Sequence, residues 1–297
     1  MRRRVLVTGG SGQVGREILL SAPRDAEVFA PGSDELDIRN TASVADAFAR
    51  LQPQLVINAA AYTAVDKSES EPELAFAVNG DGAGNVARAC AMRAIPLIHL
   101  STDYVFDGKS RVAYRETDTP NPLGVYGNSK LEGERQIRQV STPSLILRVS
   151  WVFGATGSNF VKTMLKLATQ DVVRVVDDQF GTPCAAADIA AALWCIAARP
   201  DVLEDNRLLH FSSTPVSTWF GFAKAIFETA AAFGVVPRAP QLVPITTDQY
   251  PTSARRPTNS VLDSSQLQHL LGMSAPDWRT SLELVLRAFG GHRCETS

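Results

Sequence analysis

Short apolar runs alternate with amphipathic stretches through the first half of the chain. The apolar runs are rich in valine, isoleucine and leucine, and they predict β-strands at residues 5–8, 26–30, 55–58, 97–100 and 144–149. Between these runs the apolar positions recur at helical spacing, which predicts helices at residues 12–21, 42–51, 73–94 and 129–139. Alternation of strands with helices is typical of βαβ units. We therefore predict an α/β fold with a Rossmann-like, doubly wound parallel sheet.

The pattern becomes less regular beyond about residue 150. Prolines cluster between residues 237 and 257, and helical spacing is clear only at residues 185–198 and 218–233. We predict a first domain over residues 1–150 and a smaller, irregular portion over residues 151–297, with the helix near 185–198 packed against the first domain. A cleft between the two would lie at the carboxyl ends of the strands, where open parallel sheets bind their ligands.

Composition and charge narrow the classes of function. The chain has 297 residues, of which 45% are hydrophobic and 20% are charged, and its formal net charge is -2. No basic excess points to a nucleic-acid partner, and no apolar stretch approaches the ~20 residues of a membrane span. Cys90, Cys184, Cys195 and Cys294 form no Cys-x-x-Cys motif, which fits a reduced, cytoplasmic setting. The histidines lack metal-ligand spacing, and His99, in an apolar strand, is expected to be a packed core residue.

A glycine-rich turn follows the first predicted strand directly. Gly9, Gly12 and Gly15 recur every third residue between this strand and the next helix. In a dinucleotide site, glycines allow a tight turn, a close approach of the backbone to a pyrophosphate and close packing of the helix on the strand. The free N–H groups of the helix N-terminus then face the phosphates. The turn therefore predicts an NAD(P) site in the first domain.

The second strand lacks the acidic residue that would bind a ribose about 20 residues past the glycines. The segment Ala-Pro-Gly-Ser at residues 30–33 occupies that place, and Asp34 and Asp37 come slightly later. A missing carboxylate leaves room for a 2′-phosphate, which Ser33 or Arg16 could contact. The predicted cofactor is thus NADPH or NADH, with NADPH slightly favoured.

Tyr126 and Lys130 stand four residues apart at the start of a helical pattern, so their side chains share one helix face. The pKa of a free tyrosine is about 10, too high for efficient acid–base chemistry near neutrality. A positive charge ~4 Å away, at an effective dielectric constant of ~20, contributes about 4 kcal/mol, or roughly three pKa units. We therefore expect Lys130 to lower the pKa of Tyr126 and make it a proton donor.

Small and hydroxyl-bearing side chains end the next two strands. Ala59, Ala60 and Ala61 follow the third strand and would let the backbone lie close to a flat cofactor. Thr102 ends the fourth strand, where its hydroxyl can donate a hydrogen bond to a carbonyl oxygen that Tyr126 protonates. The glycine turn, the alanines, Thr102 and the Tyr126 segment each follow a strand, in an order not expected by chance.

Longer motifs continue this set towards the C-terminus. They are Asn-Ala-Ala-Ala-Tyr-Thr-Ala-Val-Asp-Lys-Ser-Glu at 58–69, Ser-Thr-Asp-Tyr-Val-Phe-Asp-Gly at 101–108, Asn-Pro-Leu-Gly-Val-Tyr-Gly at 121–127, Arg-Val-Ser-Trp-Val-Phe at 148–153, Asn-Phe-Val-Lys-Thr-Met at 159–164, Asp-Gln-Phe-Gly-Thr-Pro at 178–183 and Arg-Pro-Thr-Asn-Ser at 256–260. Over nearly its whole length the chain resembles the extended short-chain dehydrogenase/reductase superfamily and, within it, the dTDP-4-dehydrorhamnose reductase family.

This resemblance implies NAD(P)H-dependent reduction of the 4-keto group of dTDP-4-dehydro-6-deoxy-L-mannose (dTDP-4-dehydrorhamnose) to dTDP-L-rhamnose, the last step of dTDP-rhamnose biosynthesis. By carry-over, Thr102 would polarise the carbonyl, Tyr126 would donate the proton, and Lys130 would bind the nicotinamide ribose. The implied cofactor-binding residues are Gly9, Gly12, Gln13, Val14, Gly15, Ser33, Asp37, Ile38, Ala59, Ala60, Ala61, Thr63, Tyr126 and Lys130. The implied substrate-binding residues are Val65, Thr102, Asp103, Tyr104, Tyr126, Trp151, Asn159, Phe160, Lys162, Gln179, Arg256 and Asn259.

Other functions remain open at this point. Another nucleotide-sugar reductase or an epimerase of the same superfamily would share most of these motifs. A dehydratase would have Thr-Asp-Glu where this chain has Thr-Asp-Tyr, with Tyr104 in place of the glutamate. A non-catalytic regulatory subunit resembling the methionine adenosyltransferase β subunit is a further alternative. The presence of Thr102, Tyr126 and Lys130 disfavours it.

The resemblance also bears on assembly. Some relatives are described with a magnesium-linked dimer built on glutamates, and Glu17 matches one of those positions. Ala187 and Ala288 occupy regions where the others would be expected. We therefore predict no structural metal, and the chain is expected to be a monomer or a homodimer.

Overall fold

A computed structural model describes residues 2–140, 142–203 and 206–290, so His292 and Cys294 lie outside the described residues. The strands are β1 (Arg3–Thr8), β2 (Ala26–Phe29), β3 (Leu55–Asn58), β4 (Leu97–Thr102), β5 (Ser144–Val149), β6 (Val152–Phe153), β7 (Val172–Val176), β8 (Phe180–Gly181), β9 (Cys184–Ala185), β10 (Arg207–His210), β11 (Ser217–Thr218) and β12 (Gln241–Ile245).

The helices alternate with these strands. They are α1 (Gln13–Leu20), α2 (Thr41–Leu51), α3 (Val65–Ser68), α4 (Pro72–Phe76), α5 (Ala83–Ala91), α6 (Val125–Arg138), α7 (Phe160–Leu167), α8 (Ala186–Ala197), α9 (Pro200–Leu203), α10 (Trp219–Ala232), α11 (Ser265–Leu271) and α12 (Trp278–Gly290). A π-helical segment (Ala77–Gly82) joins α4 to α5, and 3-10 turns cover Asp103–Val105 and Thr247–Gln249. None of the helices in the described ranges is both long enough and apolar enough to cross a membrane.

Six strands form one parallel sheet in the order β2-β1-β3-β4-β5-β10. The chain reverses its direction of travel across the sheet between β1 and β3, and the loops after these two strands therefore separate into a crevice. This architecture confirms the predicted α/β, Rossmann-like doubly wound fold. The predicted strands at 55–58 and 144–149 coincide with β3 and β5.

Alternate side chains of the sheet enter two cores on opposite faces. Val5 and Val7 of β1 belong to a core with Ile18 of α1 and Ile189 of α8, whereas Leu6 faces the other core, which contains helices α2 and α5. All three β1 side chains have no solvent exposure. This two-sided burial explains why the strands read as continuous apolar runs rather than as alternating ones.

The segment predicted as one helix at 73–94 is divided into α4, the π-helical segment and α5. Gly82 lies in the π-helical segment, where an added Cβ would come within 2.8 Å of the Ile38 side chain. The wider backbone and the small residues let this segment approach its neighbours closely. Periodicity could not reveal the change, because a π-helical insertion shifts the apolar pattern by only one position.

A third core lies in the later part of the chain, around α7, β7, α10 and α12. However, β10 pairs with β5, and α8 contributes Ile189 to the first core. Segments beyond residue 150 therefore belong to the main sheet, and β10 was absent from the sequence prediction. Two units meeting near residue 151 remain a proposal, with α8 and β10 on the side of the first.

Candidate active site

A main cleft of about 560 Å³ opens at the carboxyl ends of β1, β3, β4 and β5. It adjoins a second cavity of about 510 Å³, and both are lined by Tyr104, Phe160 and Trp219. The sequence-predicted residues that line the main cleft are Gly12, Gln13, Val14, Gly15, Ala59, Ala61, Thr63, Val65, Thr102, Asp103, Tyr104, Tyr126, Lys130, Trp151 and Phe160. Residues from far apart in the sequence therefore meet in one place.

The glycine turn forms one end of the main cleft. Gly9 has a positive φ of 74°, and a Cβ there would lie 2.7 Å from the Ala60 backbone. Gly15 is equally constrained, since its Cβ would lie 2.3 Å from the Gly9 carbonyl oxygen. Gly9 and Ala60 thus pack closely against each other next to the lining residues, without lining the cleft themselves. The three-residue glycine spacing allows tight packing where the neighbouring parallel strands β1 and β3 end.

The N-terminus of α1 opens into the same end. Gly12 is its N-cap residue, and no side chain caps the first turn. Gly12, Gln13, Val14 and Gly15 all line the cleft, so uncapped backbone N–H groups are available to an anion. These residues fit the pyrophosphate of a dinucleotide.

Five predicted cofactor residues lie outside the lining of the main cleft. Gly9 and Ala60 lie at its glycine-turn end, and the other three are Ser33, Asp37 and Ile38. Ser33 is exposed in the loop after β2. The Asp37 carboxylate accepts three hydrogen bonds from the Arg39 side chain, at 2.9, 3.1 and 2.7 Å, and this pairing lowers its pKa. Ile38 is buried, and its carbonyl oxygen accepts from Asn85. Their role in cofactor binding remains a prediction.

Tyr126 lies in the first turn of α6, with its ring edge-on to Tyr104 at 5.6 Å. Burial raises the pKa of Tyr126 to about 12, although hydrogen bonding with Thr102 opposes the rise. Lys130 lies one turn later, and its Nζ donates to the Leu100 carbonyl oxygen at 2.7 Å. The predicted lowering of the tyrosine pKa by Lys130 is therefore wrong in this structure. The cost of burying a phenolate is the largest influence on this pKa, and the opposing influence comes from Thr102 rather than from Lys130.

Lys130 itself is almost completely buried. Burial lowers its pKa to about 8, and the Glu134 carboxylate acts in the opposite direction. Glu134 is the next residue on the same helix face, and it forms a buried ion pair with Arg148 at 2.6 Å. The Ser101 hydroxyl also donates to Glu134, at 2.5 Å. This ion pair was not found from the sequence, where no spacing connects α6 to β5.

Thr102 closes β4 and caps the 3-10 turn that follows. Its oxygen accepts from the Tyr104 backbone N–H at 3.2 Å, and its hydroxyl donates to Asp103 Oδ1 at 3.0 Å. The other Asp103 oxygen, Oδ2, is buried and has no hydrogen-bond partner among the described residues. Burial raises the pKa of Asp103 to about 7. An unpartnered acceptor at this position is suited to a ligand hydroxyl.

Aromatic rings divide the main cleft from the second cavity. Trp151 has a positive φ of 43° and stacks on Trp219, with ring centroids 3.5 Å apart. Its indole N–H donates to the Ser260 hydroxyl at 3.2 Å. Phe160 packs against Trp219 at 4.7 Å. Trp219 was missed in the sequence, because a tryptophan at the start of a helix gives no sign of its partner.

Gln179 and Arg256, which the sequence analysis predicts as substrate residues, line the second cavity. Gln179 accepts from the Trp219 indole N–H at 3.1 Å and donates to Thr247 at 3.0 Å. Arg256 donates to Asp66 at 2.8 Å. Its guanidinium is suited to bind a diphosphate there, and Arg174 is a second cationic residue that lines the same cavity.

Three predicted substrate residues do not line either cavity. Asn159 caps α7 and donates to Gln13 Oε1 and to the Gly154 carbonyl oxygen, both at 2.8 Å. The Lys162 Nζ lies 5.6 Å from the centre of the Phe289 ring. The Asn259 amide donates to the Ser110 and Val112 carbonyl oxygens at 3.0 Å. Their side chains are engaged in holding loops and helices, and a substrate role for them remains a prediction.

No group of three or more His, Cys, Asp or Glu side chains is placed to hold a metal ion within the described ranges. His99, expected to be a core residue, is indeed fully buried. Its two ring nitrogens, however, contact polar groups: Nδ1 lies 3.1 Å from Asn58 Nδ2, and Nε2 lies 3.5 Å from Lys130 Nζ. Sequence reasoning missed the role of Asn58, which appears there as the last residue of an apolar strand and the first of the Asn-Ala-Ala-Ala motif.

Comparison with known proteins is consistent with this site. The family model described as the RmlD substrate binding domain matches residues 3–290. The chain belongs to the RmlD family of dTDP-4-dehydrorhamnose reductases. It is 44% identical over 287 residues to the dTDP-4-dehydrorhamnose reductase of Aggregatibacter actinomycetemcomitans, covering 95% of this chain and 98% of that protein. It is 38% identical over 291 residues to the enzyme of the same name from Escherichia coli K12, covering 95% and 96%.

Solved structures show the same relationship. The structure of dTDP-4-dehydrorhamnose reductase from Bacillus anthracis, in complex with NADP, superposes with a TM-score of 0.90 at 32% identity, covering 97% of this chain and 100% of that chain. The Thermus thermophilus UDP-glucose 4-epimerase in complex with NAD gives a TM-score of 0.79 at 22% identity, covering 97% and 99%. The second match shows a shared fold alone.

Proposed function

We propose that this chain reduces the 4-keto group of dTDP-4-dehydro-6-deoxy-L-mannose to give dTDP-L-rhamnose, with NADPH or NADH as the reductant. The observation on which this depends is that Thr102, Tyr126 and Lys130 line one cleft that begins at the glycine turn. The same cleft adjoins a second cavity in which Arg256 can bind a diphosphate. Membership of a reductase family supports the same reaction.

The cofactor would lie along the glycine turn, with its pyrophosphate at the N-terminus of α1. A bound nicotinamide supplies the hydride that the sugar carbon accepts. NADPH is slightly favoured because the end of β2 has no carboxylate, while Arg16 and Ser33 are exposed nearby in the chain. The relative from Bacillus anthracis, whose structure contains NADP, supports this preference.

The protein supplies the proton and the orientation. The phenol of Tyr126 would donate its proton to the oxygen at C4, so that the ketone gains one hydride and one proton and becomes an alcohol. A pKa of about 12 keeps Tyr126 protonated at neutral pH, which is the form that a proton donor needs. The phenolate left behind would be stabilised by the ammonium group of Lys130, and the Thr102 hydroxyl would hydrogen-bond the reacting oxygen.

Substrate orientation would come from both cavities. The unpartnered Asp103 Oδ2 would accept a hydrogen bond from a sugar hydroxyl, and Val65 and Trp151 would border the sugar ring. Arg256 would leave Asp66 and bind the diphosphate bidentately. Phe160 and Gln179 would line the nucleotide end.

The other functions considered are less well supported. Tyr104 replaces the glutamate of a dehydratase, so no acid stands there to remove water. The match to the epimerase is at 22% identity, so it shows a shared fold and does not support a shared function. A purely regulatory role would not need the complete set of Thr102, Tyr126 and Lys130 in one cleft.

A spectrophotometric assay tests the proposal. Purified protein is mixed with dTDP-4-dehydro-6-deoxy-L-mannose and either NADPH or NADH, and both oxidation of the cofactor and formation of dTDP-L-rhamnose are followed. We expect stoichiometric oxidation and product. Conversion of the sugar to an epimer without net oxidation of either cofactor would contradict the proposal and favour an epimerase.

The cellular setting and the assembly belong to the same proposal. A cytoplasmic location is supported by free cysteines, of which Cys90 and Cys184 are buried and Cys195 is exposed. The proposed partner is a dTDP-sugar. With a net charge of -2, the chain has no basic excess that would favour a nucleic acid or an anionic membrane. The chain would act as a monomer or a homodimer, which sedimentation at several concentrations distinguishes.

A further inference from the structure

A line of buried polar side chains connects the sheet to Lys130. The Thr8 hydroxyl donates to Asn58 Oδ1 at 2.6 Å, Asn58 Nδ2 lies 3.1 Å from His99 Nδ1, and His99 Nε2 lies 3.5 Å from Lys130 Nζ. The four residues come from β1, β3, β4 and α6, and none is more than 2% exposed. The proposed reaction assigns no role to Thr8, Asn58 or His99.

The orientation of the Asn58 amide is fixed by its surroundings. Its Oδ1 accepts a hydrogen bond from the Ala60 backbone N–H at 3.2 Å in addition to that from Thr8. A backbone N–H can only donate, so the amide nitrogen Nδ2 must face His99. Because Nδ2 also can only donate, His99 Nδ1 must accept and therefore has no proton.

Complete burial lowers the pKa of His99 well below its usual value, so the ring is neutral. A neutral imidazole with an unprotonated Nδ1 has its proton on Nε2. The Nε2–H group thus points towards Lys130 Nζ. An ammonium group is also only a donor, so the N–H groups of protonated Lys130 would face the Nε2–H group of His99 unfavourably. Neutral Lys130 instead has a lone pair on Nζ that can accept a hydrogen bond from Nε2–H.

We propose that His99 is a positioning residue, which Asn58 holds in the Nε2–H form and which thereby favours the neutral form of Lys130. The Leu100 carbonyl oxygen accepts an N–H of Lys130 at 2.7 Å in either state and so does not distinguish them. The effect of His99 on Lys130 does not require any bound ligand. Its importance for turnover rests on the proposed function.

The ionisable groups around Lys130 each have an identifiable effect on its pKa. Glu134, on the same helix, raises the pKa of Lys130, but its carboxylate is shared with Arg148 of β5. Tyr126, also on this helix, is neutral at physiological pH because its pKa is about 12. From β4, His99 presents the donor. His99 and burial therefore oppose Glu134, which leaves Lys130 able to gain or lose a proton near neutrality and so to restore the proton that Tyr126 gives up.

The titration of Lys130 in the free protein tests this directly. The six lysines are labelled with ¹³C at Cε, and the Lys130 signal is assigned by its absence in Lys130→Met. His99→Leu removes the N–H and should raise the titration midpoint of Lys130 by about one pH unit, the equivalent of one hydrogen bond. His99→Gln places an amide N–H near the same point and should leave the midpoint close to that of the wild type. His269→Leu, at an exposed histidine of α11, is the matched control.

An unchanged midpoint in His99→Leu, or an equal rise in His99→Gln, would overturn the proposal. If His99→Leu does not fold, long-range ¹H–¹⁵N spectra of the wild-type protein decide the same question, with His99→Gln for assignment. We expect a protonated Nε2 and an unprotonated Nδ1, and the opposite tautomer would exclude this role for His99.

Activity gives a separate result. The basic limb of the pH profile of kcat/KM should move upwards with the Lys130 midpoint in His99→Leu and not in His99→Gln. A shifted midpoint in a protein with no reductase activity would contradict the proposed function and leave the role of His99 intact. An active enzyme whose Lys130 midpoint does not depend on His99 would contradict the role of His99 and leave the proposed function intact.

Discussion

Single side chains in this protein are governed by the competition between burial and charge. Tyr126 shows this most clearly, because a lysine one helical turn away was expected to lower its pKa and burial instead raises it to about 12. The same burial lowers the pKa of Lys130 to about 8. Tyr126 is therefore a neutral proton donor, and Lys130 is an amine that titrates near neutrality.

The first prediction at this scale concerns the proton donor. Tyr126→Phe should lower kcat by more than ~100-fold, because it removes the general acid and leaves the ring in place. Cofactor binding, followed by fluorescence titration, should change little. Tyr62→Phe is the matched control, since its hydroxyl bonds Glu71 and lines neither cavity. Near-normal turnover in Tyr126→Phe would remove this residue from the acid role.

A second prediction concerns the diphosphate. Arg256→Ala should raise KM for the nucleotide sugar by about tenfold or more, which corresponds to a charge-assisted hydrogen bond of about 1.5–3 kcal/mol. The fall in kcat should be smaller. Arg255→Ala, at the exposed neighbouring position, should have little effect on either constant. A loss mainly in kcat would argue against contact between Arg256 and the diphosphate.

At the scale of elements, α6 is held against the sheet by a buried ion pair. Glu134 of α6 accepts two hydrogen bonds from Arg148 of β5, at 2.8 and 2.6 Å, and both side chains are almost fully buried. Arg148 also lies over the Phe106 ring, 5.0 Å from its centre. Because Tyr126 and Lys130 belong to the same helix, this pair fixes where they meet the cleft.

Glu134→Gln should therefore destabilise the protein by about 3–5 kcal/mol, because it leaves the Arg148 charge buried without its partner. The loss is measured by urea unfolding. Glu132→Gln is the matched control on α6, at a half-buried carboxylate whose pair with the exposed Arg135 is worth less than about 1 kcal/mol. Equal, small losses in both variants would show that the buried pair does not hold the helix.

At the scale of the whole molecule, the two parts of the chain share one core. Ile189 of α8 and Leu209 of β10 pack with Val5 and Leu147, although they come from beyond residue 150. The Gln13 and Asn159 side chains join the two parts at the cleft, at 2.8 Å. Cofactor and substrate surfaces are thus built by segments that fold together.

A fragment of residues 1–150 should consequently fail to form a stable fold. It would expose the sheet edge that β10 covers and the apolar face on which α8 packs. Circular dichroism and hydrogen exchange of the fragment, compared with the full chain, measure this. A fragment that unfolds cooperatively, with amide protection equal to that of the full chain, would contradict the shared core.

The sequence by itself determined five of the six strands of the main sheet, most of the helices between them and the main chemical groups. Continuous apolar runs predict buried parallel strands, and the glycine turn follows a local rule that only small residues satisfy. The Tyr126 and Lys130 pair is likewise local, because helix periodicity alone places side chains four residues apart on one face. Each of these predictions depends on residues that are close in the chain.

Only the tertiary structure decided what depends on distant contacts. It placed β10 in the main sheet, directed Lys162 and Asn259 away from the cavities, and reversed the expected pKa shift of Tyr126. It also brought Asn58 and His99 into line with Lys130. The physical reason is that desolvation and hydrogen-bond partners are set by neighbours from other elements, which spacing along the chain does not specify.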